Sequence, residues 1–439
     1  MNTEMAPAHV PDTRRTGLAA YATLCTAVVA ILFLTNWPTY DYAVRDGPIP
    51  LYYYVLPALF IVPAVFAEPA TAVRFTREPL FWWFVIFVVT GLVWLLLAQD
   101  FVADASRQWR LRVLAFMFFY TVTLLSSEAH RRVVGWVIVA CVLLACAFNW
   151  FDVLRPYRFV PQGIEGATEG RGAGLFINPN AAGSFIVMGT LAALPMMPAR
   201  LRGLFLITAV FGVAATFSRG AFVMISVTLL GAIWLKLVKP VQGMVLILTL
   251  PLLVLGVGVS YDYLAAASEN RSMHRVVERL NWFKAGDEED EAVEGRKYGA
   301  SQAWQLFLDK PVTGHGPGVA SLAVRQEGPH NMYLLLMAEQ GILGFILYVG
   351  LFVALMRRGR RVARYAQTMQ ERDVGNAMVL CGLFLATYGF FSHNVLEEPH
   401  TIFLLAFVVA NGFGALRVAN GFAGRATPGA RRRMSSVAG

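Results

Sequence analysis

The chain has 439 residues, 57% of them apolar and 15% charged, with a positive mean hydropathy. That balance excludes an ordinary soluble domain and indicates a polytopic membrane protein. The net charge of +9 comes largely from Lys and Arg at the ends of apolar segments, which is a topology signal and gives little support to nucleic-acid binding.

Segments apolar and long enough to cross a bilayer as helices fall at 17–36, 48–67, 79–98, 110–127, 132–152, 180–197, 201–217, 220–237, 241–261, 332–356, 374–393 and 400–418. The expected fold is therefore all-α and polytopic, with about twelve transmembrane helices. The first segment is too long for a cleavable signal and is followed by further spans, so it is expected to stay as an anchor. Arg14 and Arg15, Arg74 and Arg77, Arg131 and Arg132, Arg200 and Arg202, Lys236 and Lys239, the run 357–364 and Arg431 to Arg433 fall on alternate connections. By the retention of basic loops in the cytoplasm, both termini are expected there. The resulting division is a tail at 1–16, nine spans over 17–261, an external loop at 262–331, three spans over 332–418 and a tail at 419–439; both tails are expected to lack order.

The long loop spans about seventy residues and is expected to hold short helices of its own. Its acidic stretch, 287–294, reads as a solvated turn. Cys25, Cys141, Cys146 and Cys381 all lie inside spans, where they read as packing residues; no disulfide, redox or metal chemistry is expected from them.

Three places on the external side share one design. Arg171-Gly-Ala-Gly-Leu-Phe-Ile-Asn178-Pro179-Asn180 opens the sixth span, Ser218-Arg219-Gly220 the eighth, and Pro329-His330-Asn331 the tenth. Asn178 suits a helix cap and Pro179 a first turn. Each helix would present its amino terminus outward beside a cationic or titratable side chain. Free N–H groups and the helix dipole attract anions, and arginine forks match phosphate oxygens. A phosphate at the membrane surface is the expected target.

Each residue also has a plainer reading. Arg171 equally fits a surface ion pair with Glu165 or Glu169. Arg219 favours function, since a charge in a minimal turn at bilayer depth is expensive unless it is used or snorkels outward. Arg271, Arg275, Arg279, Arg296 and Lys297 each read singly as solvated loop charges, with one or two expected to join the site. His330 alone would more often be structural. Its setting changes the estimate: Gly314, Gly316 and Gly318 allow close backbone approach, and Pro329 fixes the chain entering the helix. Glu339 lies about 13 Å further along that helix at 1.5 Å per residue, too far to orient His330 directly. It is expected to be buried with a polar partner, supporting the site from below.

These stretches resemble the O-antigen ligase and polymerase superfamily: Arg-x-x-Gly-x-Phe-x-Asn-Pro-Asn at 171–180, Ser-Arg-Gly at 218–220, Pro-x-x-Gly-x-Gly-Pro-Gly at 311–318, and His-Asn-x-Tyr-Leu with the following Glu and Gly at 330–341. The likeness extends from about 160 to 400. It implies a GT-C-like inner-membrane glycosyltransferase. Its ligase branch moves O-antigen polysaccharide from undecaprenyl diphosphate to lipid A-core oligosaccharide on the periplasmic side, among membrane lipids and without cofactor or metal. Carried over by position, the resemblance assigns catalysis to His330 and Arg219 and substrate contacts to Arg171, Asn180 and Asn331, with Arg275, Arg279 and Arg296 as candidates for the long-loop arginine. Gly316, Gly318 and Glu339 would support the site. A polymerase would share the donor, while a protein O-oligosaccharyltransferase would usually be longer. A transporter would place charged or broken helices at mid-membrane depth, whereas the polar residues here gather at one face.

Overall fold

The computed structural model describes residues 13–67, 69–97, 102–164, 171–246, 291–320 and 328–425. These residues form α1 (Thr13–Leu34), α2 (Trp37–Arg45), α3 (Val55–Ala67), α4 (Pro69–Phe75), α5 (Pro79–Leu97), α6 (Val102–Glu128) and α7 (Arg131–Leu154). They continue as α8 (Pro179–Ala193), α9 (Ala199–Thr216), α10 (Arg219–Trp234), α11 (Glu291–Asp309), α12 (Met332–Tyr365), α13 (Met369–Tyr388) and α14 (Pro399–Arg425). No strand occurs among the described residues. Among the described residues six helices are long and apolar enough to cross a membrane, and further apolar helices are shorter. The protein is an all-α, multi-pass membrane protein.

Proline punctuates this order because its missing N–H costs nothing in a first helical turn; Pro69, Pro79, Pro179 and Pro399 each open a helix. The second expected span is helical as an α-helix only from Val55, preceded by a 3-10 turn at Pro50–Tyr54. α14 runs on to Arg425, past the expected end at 418. Within the acidic stretch 287–294, Glu291 to Glu294 begin α11 and are not a turn, carboxylates there favouring the positive end of the helix dipole; 287–290 lie outside the described residues.

The centre of the bundle is built from helices that are apolar all round. Along α14 every residue from Ile402 to Ala410 is buried, and along α8 so is every residue from Ala182 to Ala193. α14 packs on α6, while α12 makes its broadest contact with α13. There Gly359 and Gly375 let the backbones meet: a methyl on Gly359 would sit 2.6 Å from the Gly375 carbonyl oxygen, the close approach that small residues give membrane helices.

On the face opposite His330, two basic residues do more than mark topology. Arg202 is buried, pairs with Asp373 at 2.6 Å and donates to the carbonyls of Met197 and Leu237. Arg358 pairs with Glu78.

The tenth expected span, 332–356, is not one helix. Gly341 has φ 62° and ψ −154°, a backbone conformation open essentially to glycine alone. It divides α12 into a half-helix, 332–340, and a long arm, 342–365. The half-helix is about 13 Å long and cannot cross a bilayer; the arm, about 36 Å at 1.5 Å per residue, can.

Candidate active site

Three helix amino termini share the end of the bundle that carries His330, and each has a side-chain cap. Asn178 accepts from the Asn180 N–H at 2.8 Å, Ser218 from the Ala221 N–H at 3.3 Å, and Asn331 from the Leu334 N–H at 3.1 Å. Each cap has extended backbone and satisfies one orphan donor of its first turn.

Arg171 ties the first two of these starts together. Its Nε donates to the Thr216 carbonyl at 2.9 Å, and its other arm donates to Asn180 Oδ1 at 2.9 Å. The Gly172 N–H reaches the Ala215 carbonyl at 2.8 Å, and Asp152 accepts from the N–H groups of Ala173 and Gly174. The 171–174 segment is thereby fastened across the ends of α7 and α9. Phe217, at φ 48°, ends α9; Ser218 then starts α10, whose first residue is Arg219.

The loop between α13 and α14 brings the third start to the other two. A methyl on Gly220 would meet the Phe391 ring at 2.9 Å, so the first turn of α10 lies against this loop. The Met332 N–H donates to the Gly389 carbonyl at 2.7 Å, and the His330 ring stands 5.3 Å from that of His393. His330 itself has φ 47°. Arg171, Asn180, Arg219, His330 and Asn331 thus belong to one continuous set of contacting segments. Arg296 is exposed on α11. Arg271, Arg275 and Arg279 lie outside the described residues.

The 311–318 turn is committed elsewhere. The His315 and Gly316 N–H groups donate to the carbonyls of Ala338 and Glu339 at 3.0 and 2.9 Å, and the Ile342 N–H to that of Pro311 at 2.8 Å. The Gly-rich turn therefore caps the end of the half-helix, satisfying carbonyls that would otherwise be orphaned. The Gly318 N–H donates to Glu339 Oε1 at 2.6 Å, and the other oxygen of Glu339 pairs with Arg112 of α6. Glu339 is 0% and Arg112 2% exposed. One turn outward on the same face of α6, Gln108 donates to Glu397. α6 is thus the strut joining the half-helix to the α13–α14 loop. Arg112, Gln108 and His393 are absent from the expectations drawn from sequence.

Two groups of the α13–α14 loop carry shifted acidities. Withdrawal from solvent pushes the Glu397 carboxyl up to about 7, opposed by Arg112 and reinforced by Glu339 and Glu398. Burial, then the neighbouring His330, push the His393 imidazole down to about 4, against the pull of Glu398. Their linkages to stability have opposite signs. Folded Glu397 holds its proton where the unfolded chain has lost it, so its contribution falls as pH rises from about 4.5 to about 7. Folded His393 refuses a proton that the unfolded chain binds, so its contribution rises from about pH 4 to about 6.5. Of these two groups, only Glu397 acts above that window. Melting temperature in detergent is expected to fall between about pH 6.5 and 7.5 in the wild type, and this slope to flatten in Glu397→Gln. An unchanged slope in the variant would remove Glu397 as its source.

No curated protein matches the chain. Residues 204–349 match the family model described as O-antigen ligase. That span runs from within α9 past the half-helix and takes in Arg219, His330, Asn331, Glu339 and the break at Gly341; over it the chain is similar to the O-antigen ligase/polymerase superfamily, and the match supports that family.

Proposed function

We propose that this protein is an O-antigen ligase, moving O-antigen polysaccharide from undecaprenyl diphosphate to lipid A-core oligosaccharide at the periplasmic face of the bacterial inner membrane. The observation that carries the reading is the gathering of three capped helix starts, with Arg171, Arg219 and His330, at one end of the bundle. Such a surface suits a diphosphate, because helix amino termini and guanidinium groups both favour anions.

The chemistry follows from charge. Its acceptor is a core sugar hydroxyl. As the hydroxyl oxygen bonds to the anomeric carbon, its proton passes to a ring nitrogen of His330. The bond from the anomeric carbon to the phosphate oxygen breaks, and its electron pair leaves with the diphosphate. Arg219 and the helix ends stabilise that growing charge. Attack opposite the leaving group inverts the anomeric configuration.

Purified wild-type, His330→Ala and Arg219→Ala proteins, given lipid A-core and an undecaprenyl-diphosphate-linked glycan with a chelator present, test this reading. Wild-type protein is expected to cap lipid A-core despite the chelator. Loss of the base should slow transfer by about 10²–10⁴-fold, and loss of the arginine by about 10²–10³-fold. Donor elongation without capping would identify a polymerase instead, and full activity in both variants would end the assignment of roles.

A further inference from the structure

His393 stands beside His330 and has no part in the transfer chemistry itself. The two rings are 5.3 Å apart between centroids and inclined at 75°, close enough for facing nitrogens to hydrogen-bond after a small rotation. The seat of His393 is specific. Gly328 has φ +70°, and a methyl there would lie 2.7 Å from Nε2 of His393 and 2.9 Å from its Cδ2 and Cε1. Only glycine both adopts this backbone and leaves room for the ring. The Nδ1 atom of His393 is buried without a hydrogen-bond partner among the described residues. An apolar ring would fill the same space without stranding a polar atom, so the nitrogen calls for a reason.

We propose that His393 is a positioning residue for His330, its Nδ1 accepting a hydrogen bond from the ring N–H of His330 as that ring becomes charged. The inference rests on the reading of His330 as general base. When His330 takes the proton of the acceptor hydroxyl, its far N–H becomes a charge-assisted donor, and the bond to a neutral acceptor strengthens. An interaction that tightens with developing charge accelerates the step. It also fixes which nitrogen of His330 faces the sugar. No bond changes on His393: its burial and the like charge of His330 oppose a second proton, so the pair carries one. Glu398 is the carboxylate acting on His393; it is held by the hydroxyls of Tyr388 and Thr401 at 2.7 and 3.1 Å.

The test is the kcat, KM and pH profile of transfer for the full chain and for His393→Phe, His393→Gln, His393→Ala and His330→Ala, each with undecaprenyl-diphosphate-linked glycan and lipid A-core. His393→Phe fills the seat but accepts nothing; it is expected to lower kcat by up to about 100-fold, the low end of what acid–base catalysis supplies, and to leave KM nearly unchanged. Its acid limb should move to lower pH, because the His330 imidazolium has lost an acceptor. His393→Gln, which keeps an acceptor oxygen, should recover part of the rate. A wild-type rate and profile in His393→Phe, with His330→Ala inactive, would overturn this proposal alone, whereas an active His330→Ala would overturn the base reading beneath it. Should the variants fail to fold, nitrogen-15 histidine spectra of the wild type decide: one His330 tautomer is expected, and an even mixture would overturn the proposal.

Discussion

Arg112→Ala is expected to unfold the protein more readily than loss of any surface charge, by about 3–5 kcal/mol. The magnitude follows from what is left behind. Glu339 is fully buried, and its guanidinium partner on α6 is nearly so. Removing the cation strands a carboxylate in a low-dielectric interior, where an uncompensated charge is far more costly than the pair was favourable. Without its partner, Glu339 would be free to turn away from the Gly318 N–H, from which it now accepts a hydrogen bond at 2.6 Å. Both the half-helix and the turn capping it should loosen, and transfer activity should fall with them. Thermal unfolding in detergent reads the first effect and the transfer assay the second. Arg112→Met with Glu339→Leu provides the control: exchanging a buried pair for apolar volume can be neutral or stabilising, so the double variant should regain stability yet stay inactive, having no acceptor for Gly318. A double variant as active as the wild type would show that the pair serves packing alone.

The origin of that pair shows what the sequence does and does not display. Apolar runs of bilayer length expose the helices directly, because spanning a membrane demands them residue by residue. Caps are nearly as legible: Asn178, Ser218 and Asn331 each sit where a polar side chain precedes an apolar run, and each accepts a first-turn N–H. Those signals are local. Arg112 and Glu339 are separated by 227 residues, and nothing in the neighbourhood of either names the other, although two opposite charges inside apolar helices are a reason to look for a pair. The 311–318 glycines illustrate a different loss. Their spacing announces close approach of backbone, yet the approaching group is the carboxyl end of the half-helix and not a ligand. His393 was hidden in the same way, since its significance lies in Gly328 and His330, which are distant in sequence and adjacent in space.

Gly341→Ala is the second large effect expected, and it tests whether the break in α12 is required. At φ 62° and ψ −154° an alanine carries backbone strain of about 1–3 kcal/mol. A methyl there would also strike the Val312 carbonyl oxygen and approach its carbon to 2.6 Å and the Pro311 carbonyl oxygen to 2.7 Å. Those are backbone atoms of the turn that caps the half-helix, so a side-chain rotation cannot relieve the contact. The chain must either part the turn from the half-helix or try to continue as one straight helix; both courses displace Glu339 from Arg112 and shift the residues leading back to His330. Gly350, further along the same helix, has no neighbouring atom within 4 Å of where an alanine methyl would stand, and its replacement by alanine should be neutral or stabilising by up to about 1 kcal/mol through helix propensity. The pair of variants separates a general effect of alanine in α12 from one specific to the break. Measured by thermal unfolding and transfer, Gly350→Ala is expected to match the wild type, while Gly341→Ala loses stability and activity together. Equal behaviour of the two variants would mean that the half-helix can be joined to the arm without consequence, and that the site does not depend on where the half-helix ends.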